Sequence, residues 1–180
     1  MKKIERIGIL TSGGDCGGLN AVVRAVSYRA IETYGWEVYG IRDGTQGLMR
    51  RPIQYEKLTL KHFTGNLMRQ GGTFLGTTNK DNPFRFPIGY NKFKDRSQEI
   101  IDGYKELKLD AFIGIGGDGS MKILKRLSEK GKMNLVGIPK TIDNDVSSTE
   151  ISIGYDTAVE VATNALDMLQ PTAASHKRLM

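Results

Sequence analysis

Short apolar runs alternate with stretches of helical spacing along most of the 180-residue chain. Ile4 to Leu10 reads as a buried strand, and Gly17 to Tyr34 sets Leu19, Val22, Val23, Val26 and Ala30 on one side of a helix. Trp36 to Ile41 is expected as a second strand, Leu58 to Met68 as a helix, and Gly71 to Thr78 as a glycine-bounded strand or loop. The polar, proline-containing stretch from Asn79 to Phe93 is expected as a loop over a cleft. From Arg96 to Leu109 the spacing predicts a helix with Ile100, Ile101, Tyr104 and Leu107 inward. A strand at Leu109 to Ile115, a helix at Ser120 to Lys130 and a strand at Asn134 to Ile138 follow. The last predicted helix runs from Asp156 to Leu169 and is stopped by Pro171.

Strands that alternate with helices imply β-α-β units with right-handed crossovers, hence an α/β fold: a Rossmann-like parallel sheet with flanking helices. Ligands on such sheets bind at the carboxyl ends of the strands. Three residue clusters fall there. Thr11-Ser12-Gly13-Gly14-Asp15 follows the first strand, Gly116-Gly117-Asp118-Gly119-Ser120 the strand ending near Ile115, and Pro139-Lys140-Thr141-Ile142-Asp143-Asn144-Asp145 the last. All three are expected at one rim.

Glycines let a backbone approach phosphate closely, and a helix N-terminus offers unpaired N–H donors to anions. The aspartates add metal ligands and a possible general base. Asp143 and Asp145, two residues apart in an extended or looped segment, face one side. One can take a proton from a hydroxyl while the other orients groups or metal; the bland alternative is a solvated Asp-Asn-Asp turn. Phosphate donors together with acids point to phosphoryl transfer. The run Gly114-Ile115-Gly116-Gly117-Asp118-Gly119 also fits a dinucleotide fingerprint, but the next strand ends in Lys140 where a ribose-binding acid is required, and Asp118 would repel a pyrophosphate. No Walker A sequence is present, and His62 and His176 are too isolated to form a metal site.

A chain of this length fits one domain. The net charge of +6 carries no run of five bases, and bases alternate with acids, as in Lys125-Arg126-Leu127-Ser128-Glu129-Lys130. Phosphorylated small molecules therefore fit the charge better than nucleic acid. No apolar run approaches the roughly 20 residues of a membrane span. Lys2, Lys3 and Arg6 precede an apolar stretch too short for a signal peptide. A single cysteine, Cys16, suits a reducing, cytoplasmic setting.

Together with Gly18-Leu19-Asn20-Ala21 and Gly71-Gly72-Thr73-Phe74-Leu75-Gly76-Thr77, the three clusters resemble 6-phosphofructokinase, in the right order and over nearly the whole chain from Ile7 to Arg178. The resemblance implies the nucleotide-side domain of a two-domain enzyme, a chain of roughly twice this length whose sugar-phosphate-binding half is absent here, and a homo-oligomer, dimer or tetramer, when full length. It implies phosphoryl transfer from MgATP to the C1 hydroxyl of fructose 6-phosphate, with Mg2+ as cofactor. In this similarity Asp143 matches the catalytic base, Thr141 a substrate or phosphate contact, Asp145 a supporting acid and Asp118 the magnesium-linked acid. Gly14, Gly117, Gly119 and Ser120 match nucleotide-side positions, and Arg178 an arginine that reaches the sugar phosphate of a neighbouring subunit.

Position 119 separates donors in this family: glycine leaves room for the α-phosphate of ATP, whereas aspartate is typical of pyrophosphate users. The chain has Gly119 beside Lys140, and lysine at the latter position is usual in pyrophosphate users. ATP is the expected donor, with pyrophosphate as the alternative and a non-catalytic nucleotide-binding domain as the alternative of another class. Asn79 stands where many members carry an arginine bridging the phosphates, and Lys80 follows it as a substitute. Arg24 matches one effector-site arginine, while Tyr28 and Gln170 depart from that pattern.

Overall fold

The fold is taken from a computed structural model that describes residues 4–80 and 82–179. Lys2 and Lys3 therefore lie outside the described residues. A five-stranded sheet is built from β1 (Arg6–Thr11), β2 (Glu37–Ile41), β3 (Tyr55–Leu58), β6 (Ala111–Gly116) and β7 (Leu135–Pro139), in the order β3-β2-β1-β6-β7. A separate hairpin pairs β4 (Phe86–Gly89) with β5 (Lys92–Lys94).

The two-residue period of β1 sorts its side chains between two cores. Ile7 and Ile9 pack on one face with Leu19 and Val23 of α1 (Leu19–Tyr28) and with Ile115. Leu10 faces the other side, where Ile100, Ile101 and Tyr104 of α3 (Ser97–Glu106) meet Leu124 and Leu127 of α4 (Asp118–Gly131). Burial of helices on both faces is what a parallel sheet requires. A short helix, α2 (Gln46–Met49), adds Leu48 and Met49 to the second core.

The expected parallel sheet with flanking helices forms over β2-β1-β6-β7, and the edge strand β3 joins it antiparallel to β2. Two sequence expectations need correction. The helix expected over Leu58 to Met68 does not form. Leu58 ends β3, and two 3₁₀ turns follow, Leu60–Phe63 and Leu67–Arg69. Thr59 and His62 close the first turn with a reciprocal capping box, and Gly65 at φ +70° then breaks the chain direction. Finally, α5 (Tyr155–His176) runs through Pro171. A proline inside a helix leaves an unpaired carbonyl one turn back, at Asp167, and the helix is exposed along its length, so water can take that bond.

Helix α5 buries none of its residues, and Val161, Leu166 and Met168 are exposed on it, as is Val136 on the edge strand β7. No helix among the described residues is long and apolar enough to cross a membrane.

Candidate active site

Thr11, fully buried at the end of β1, donates its hydroxyl to the Gly76 carbonyl at 2.9 Å. Ser12 then bonds across to β6 through Ile115 O, at 2.8 Å. Gly13 turns the chain at φ +86°, donating its N–H to Thr78 O at 3.0 Å, and Thr77 Oγ1 returns a bond to Gly13 O at 2.7 Å. On α1, the buried Asn20 side chain takes the Phe74 N–H at 2.9 Å and donates to Gln70 O at 3.2 Å. The first strand-end cluster, the Gly18–Ala21 block and the Gly71–Thr77 block thus form one hydrogen-bonded unit over the end of β1.

At the end of β6, glycine is required by contact. A Cβ on Gly116 would lie 2.6 Å from Ser120 Cβ and 3.1 Å from Ser12 O. Gly117 is extended and α4 begins at Asp118, two residues before the sequence expectation. Asp118 and Gly119 therefore occupy the first turn, where unpaired N–H groups point out and an acid is favoured by the helix dipole. Asp118 pairs with Lys122 at 2.6 Å, and both side chains are well exposed. A Cβ on Gly119 would meet nothing within 4 Å, so that position opens freely into the cleft.

Past β7 the chain makes an excursion that returns as a parallel bridge between Lys140 and Ile153. Thr141 N donates to Ile153 O and Ile153 N to Pro139 O, each at 3.1 Å. Within the excursion, Asn144 at φ +51° accepts from Ser152 N at 3.0 Å and donates to Glu150 O at 3.2 Å. The Asp143 N–H bonds Thr141 Oγ1 at 3.1 Å. The Asp143 and Asp145 carboxylates remain exposed on this framed loop.

These walls enclose a cleft of about 580 Å³, within the range of small-ligand sites. Its lining brings together Gly14, Asn79, Lys80, Gly117, Asp118, Gly119, Ser120, Lys140, Thr141, Asp143 and Asp145, that is, all the expected site residues except Arg178. Arg178 lies exposed past the C-terminus of α5 and does not line it. The cleft also takes in Asp15 of the first strand-end cluster and Asn82 of the stretch expected as a loop over it, while Thr45 and Thr78 were missed as lining residues. The strand-end rule could have found Thr45, which follows the turn after β2. Asn82 shows as a capping residue, its side chain accepting from Phe84 N at 3.0 Å ahead of Pro83.

Lys140 lines the cleft just past the end of β7. It is only 5% exposed, and its Nζ donates to the Gly14 carbonyl. Burial pushes this ammonium below the ordinary lysine range, with Cys16 and Asp15 working against that trend. The Cys16 thiol is buried beside Gly154, donates to Gly17 O at 3.2 Å, and is pushed up by the same desolvation. Such a thiol is protonated and inert at neutral pH. Away from the cleft, the Arg24 guanidinium lies over the Tyr28 ring at 4.1 Å. His62 bonds Glu56 at 2.9 Å.

No group of three His, Cys, Asp or Glu side chains that could hold a metal occurs among the described residues. The donor set here fits magnesium in its usual protein mode, which takes one or two carboxylates and fills the remaining positions with substrate phosphates and water. Asp118, in the first turn of α4 and lining the cleft, is the carboxylate that could take that place.

The phosphofructokinase family model matches residues 6–180. An "ATP-dependent 6-phosphofructokinase 1" of Synechocystis sp. is 61% identical over the whole of this chain and 50% of its own length. An "ATP-dependent 6-phosphofructokinase 3" of Bacteroides thetaiotaomicron is 47% identical over 97% of this chain and 50% of its own. The chain thus spans about half the length of the curated relatives it matches. Among solved structures, a phosphofructokinase from Saccharomyces cerevisiae superposes with a TM-score of 0.79 at 28% identity, over 97% of this chain and 25% of that one. A pyrophosphate-dependent phosphofructokinase from Marinobacter aquaeolei shares the fold, with a TM-score of 0.72 at 19% identity over 95% of this chain and 42% of that one. With its glycine turns, its helix N-terminus and its acid loop gathered on one cleft, this chain belongs to the phosphofructokinase family.

Proposed function

We propose that, in the full-length protein, this cleft transfers the γ-phosphoryl group of ATP to the C1 hydroxyl of fructose 6-phosphate, giving fructose 1,6-bisphosphate. The observation that carries the reading is a juxtaposition: the open first turn of α4 and the Asp143 loop line the same cleft. One wall offers backbone donors to phosphate and the other offers a carboxylate to a hydroxyl.

Little covalent chemistry falls to the protein in such a transfer, so alignment and charge matter most. The N–H groups at the start of α4 and of the segment after Gly13, whose own N–H is taken by Thr78 O, bind the donor phosphates. Asp143 takes the proton of the sugar hydroxyl as its oxygen bonds phosphorus, and the donor leaves as the diphosphate. Thr141 holds the Asp143 backbone through its hydroxyl, and Asp145 serves as a supporting acid at the same site. Asp118 would hold magnesium together with the donor's phosphates, and the ion would supply charge neutralisation there. Lys80, exposed on the opposite rim, adds a flexible point charge to the phosphate region.

ATP is favoured over pyrophosphate by Gly119 and by the names of the relatives at 61% and 62% identity. In this reading residues 1–180 are the nucleotide-side half of a longer chain, whose remainder completes the sugar site and covers the exposed apolar positions of α5 and β7. Arg178 serves the sugar phosphate of a neighbouring copy in a homo-oligomer, and the protein works in the cytoplasm, where an unpaired Cys16 is at home. A coupled assay of the full-length protein with fructose 6-phosphate tests the reaction. Turnover with ATP well above that with pyrophosphate is expected; turnover with pyrophosphate alone, or none with either donor, would overturn it.

A further inference from the structure

We infer that Lys140 is a positioning residue, a strut that turns the Gly14–Asp15 peptide so that its N–H faces the donor, and not a ligand of the donor phosphate. The inference rests on the donor site proposed above. Position 140 lines the cleft, yet the residue is buried, with only 5% of its surface exposed. Its nitrogen lies under the turn after β1: a Cβ on Gly13 would sit 3.5 Å from Lys140 Nζ and 3.2 Å from Ser120 Oγ. The backbone of Lys140 is fixed on both sides, through its N–H to Gly116 O at 2.9 Å and through the bridge to Ile153. One residue therefore ties the ends of β1, β6 and β7 together.

The consequence follows from peptide geometry. The Gly14–Asp15 bond is trans, so its N–H points opposite to its carbonyl. Lys140 Nζ holds the Gly14 carbonyl inward. The Asp15 N–H is thereby directed outward, on a segment that lines the cleft, and it has no acceptor among the described residues. A charged donor on the carbonyl also polarises the same amide, which strengthens its N–H toward an anion. Lys140 is thus occupied within the protein and acts on the donor through a peptide group.

The test uses the full-length protein and its Lys140→Met variant, which keeps the aliphatic stem and removes the ammonium. Amide exchange of the Ser12–Gly17 segment, measured without ligand, is expected to speed up by about tenfold or more. The KM for ATP is expected to rise by roughly ten- to thirtyfold, with kcat within a factor of three and the KM for fructose 6-phosphate unchanged. Unaltered exchange in the ligand-free variant together with weakened ATP binding would overturn the inference in favour of a direct phosphate ligand, and no change in either would overturn it outright. If Lys140→Met does not fold, acylation of the wild type decides. A strut stays far less reactive than Lys80 with and without ATP, whereas a ligand is reactive alone and protected by ATP. Wild type without ATP turnover would refute the proposed reaction, while exchange and acylation would still report on the strut.

Discussion

Replacement of Gly119 by aspartate isolates one electrostatic effect at the donor site. The new Cβ meets no atom within 4 Å, and Gly119 is not among the glycines with positive φ, so the substitution introduces neither clash nor backbone strain. It lies in the first turn of α4, where an acid gains about 0.3–1 kcal/mol from the helix dipole, and loss of a helical glycine adds a further fraction of a kcal/mol. Thermal stability should therefore hold or rise slightly. Toward ATP the sign reverses. Two unit charges about 4 Å apart repel by roughly 4 kcal/mol at an effective dielectric near 20. Magnesium and the α4 N-terminus offset part of that, and Lys140 little, because its ammonium is engaged at Gly14. A net loss of about 2–3 kcal/mol remains, which is about 30- to 150-fold in affinity. Pyrophosphate has no α-phosphate to meet the new carboxylate, so its use should fall less or rise. The assay is kcat/KM for both donors, with Tm alongside, in wild-type and Gly119→Asp full-length protein. An ATP efficiency within threefold of wild type, or a loss explained by a drop in Tm, would refute the reasoning.

Two further outcomes concern stability. A Cβ on Gly114 would lie 2.3 Å from Leu124 Cδ1, and Leu124 is fully buried. Gly114→Ala should cost about 1–3 kcal/mol by overpacking and Leu124→Ala about 2–5 kcal/mol by cavity formation, with the double variant less damaged than the sum in urea melts. The second concerns pH. Burial lowers the Lys140 pKa below its ordinary 10.5, so between the folded and unfolded values the unfolded chain binds more protons. The contribution of this group to stability must then rise with pH in that window, and the wild-type minus Lys140→Met difference in unfolding free energy should shift toward wild type on going from pH 7 to pH 10. A shift in the opposite direction would show that the ammonium is better solvated in the fold than in the unfolded chain.

Much of the fold was legible because the hydrophobic pattern and the topology agree. Ile4 to Leu10 reads as a buried strand, and β1 forms there over Arg6–Thr11 with side chains buried on both faces. The failures have local causes. Leu58 to Met68 carries enough apolar residues at helical spacing to suggest a helix, but Thr59 and His62 cap a single 3₁₀ turn that Gly65 ends. Pro171 reads as a stop by propensity, yet an exposed helix can lose one backbone bond to water and continue. At the site, the rule that ligands gather at strand ends placed Gly14, Asp118, Gly119, Asp143 and Asp145 together correctly. It could not show that Lys140 points inward, since whether a lysine faces solvent or a carbonyl depends on the packing of three turns distant in sequence. Nor could it show that α4 starts early enough to put Asp118 and Gly119 in its first turn, because a Gly-Asp-Gly run has weak helical propensity of its own.

The central claim is that Asp143, on the wall facing the phosphate-binding turns, takes the proton from the sugar hydroxyl. Asp143→Asn keeps the size of the side chain and spares the Asp143 N–H bond to Thr141. Measured in the full-length protein with saturating ATP and fructose 6-phosphate, kcat is expected to fall by roughly 10²–10⁴-fold, as for a lost general base, with ATP affinity and Tm nearly unchanged. A variant that keeps more than a tenth of the wild-type kcat would contradict the account.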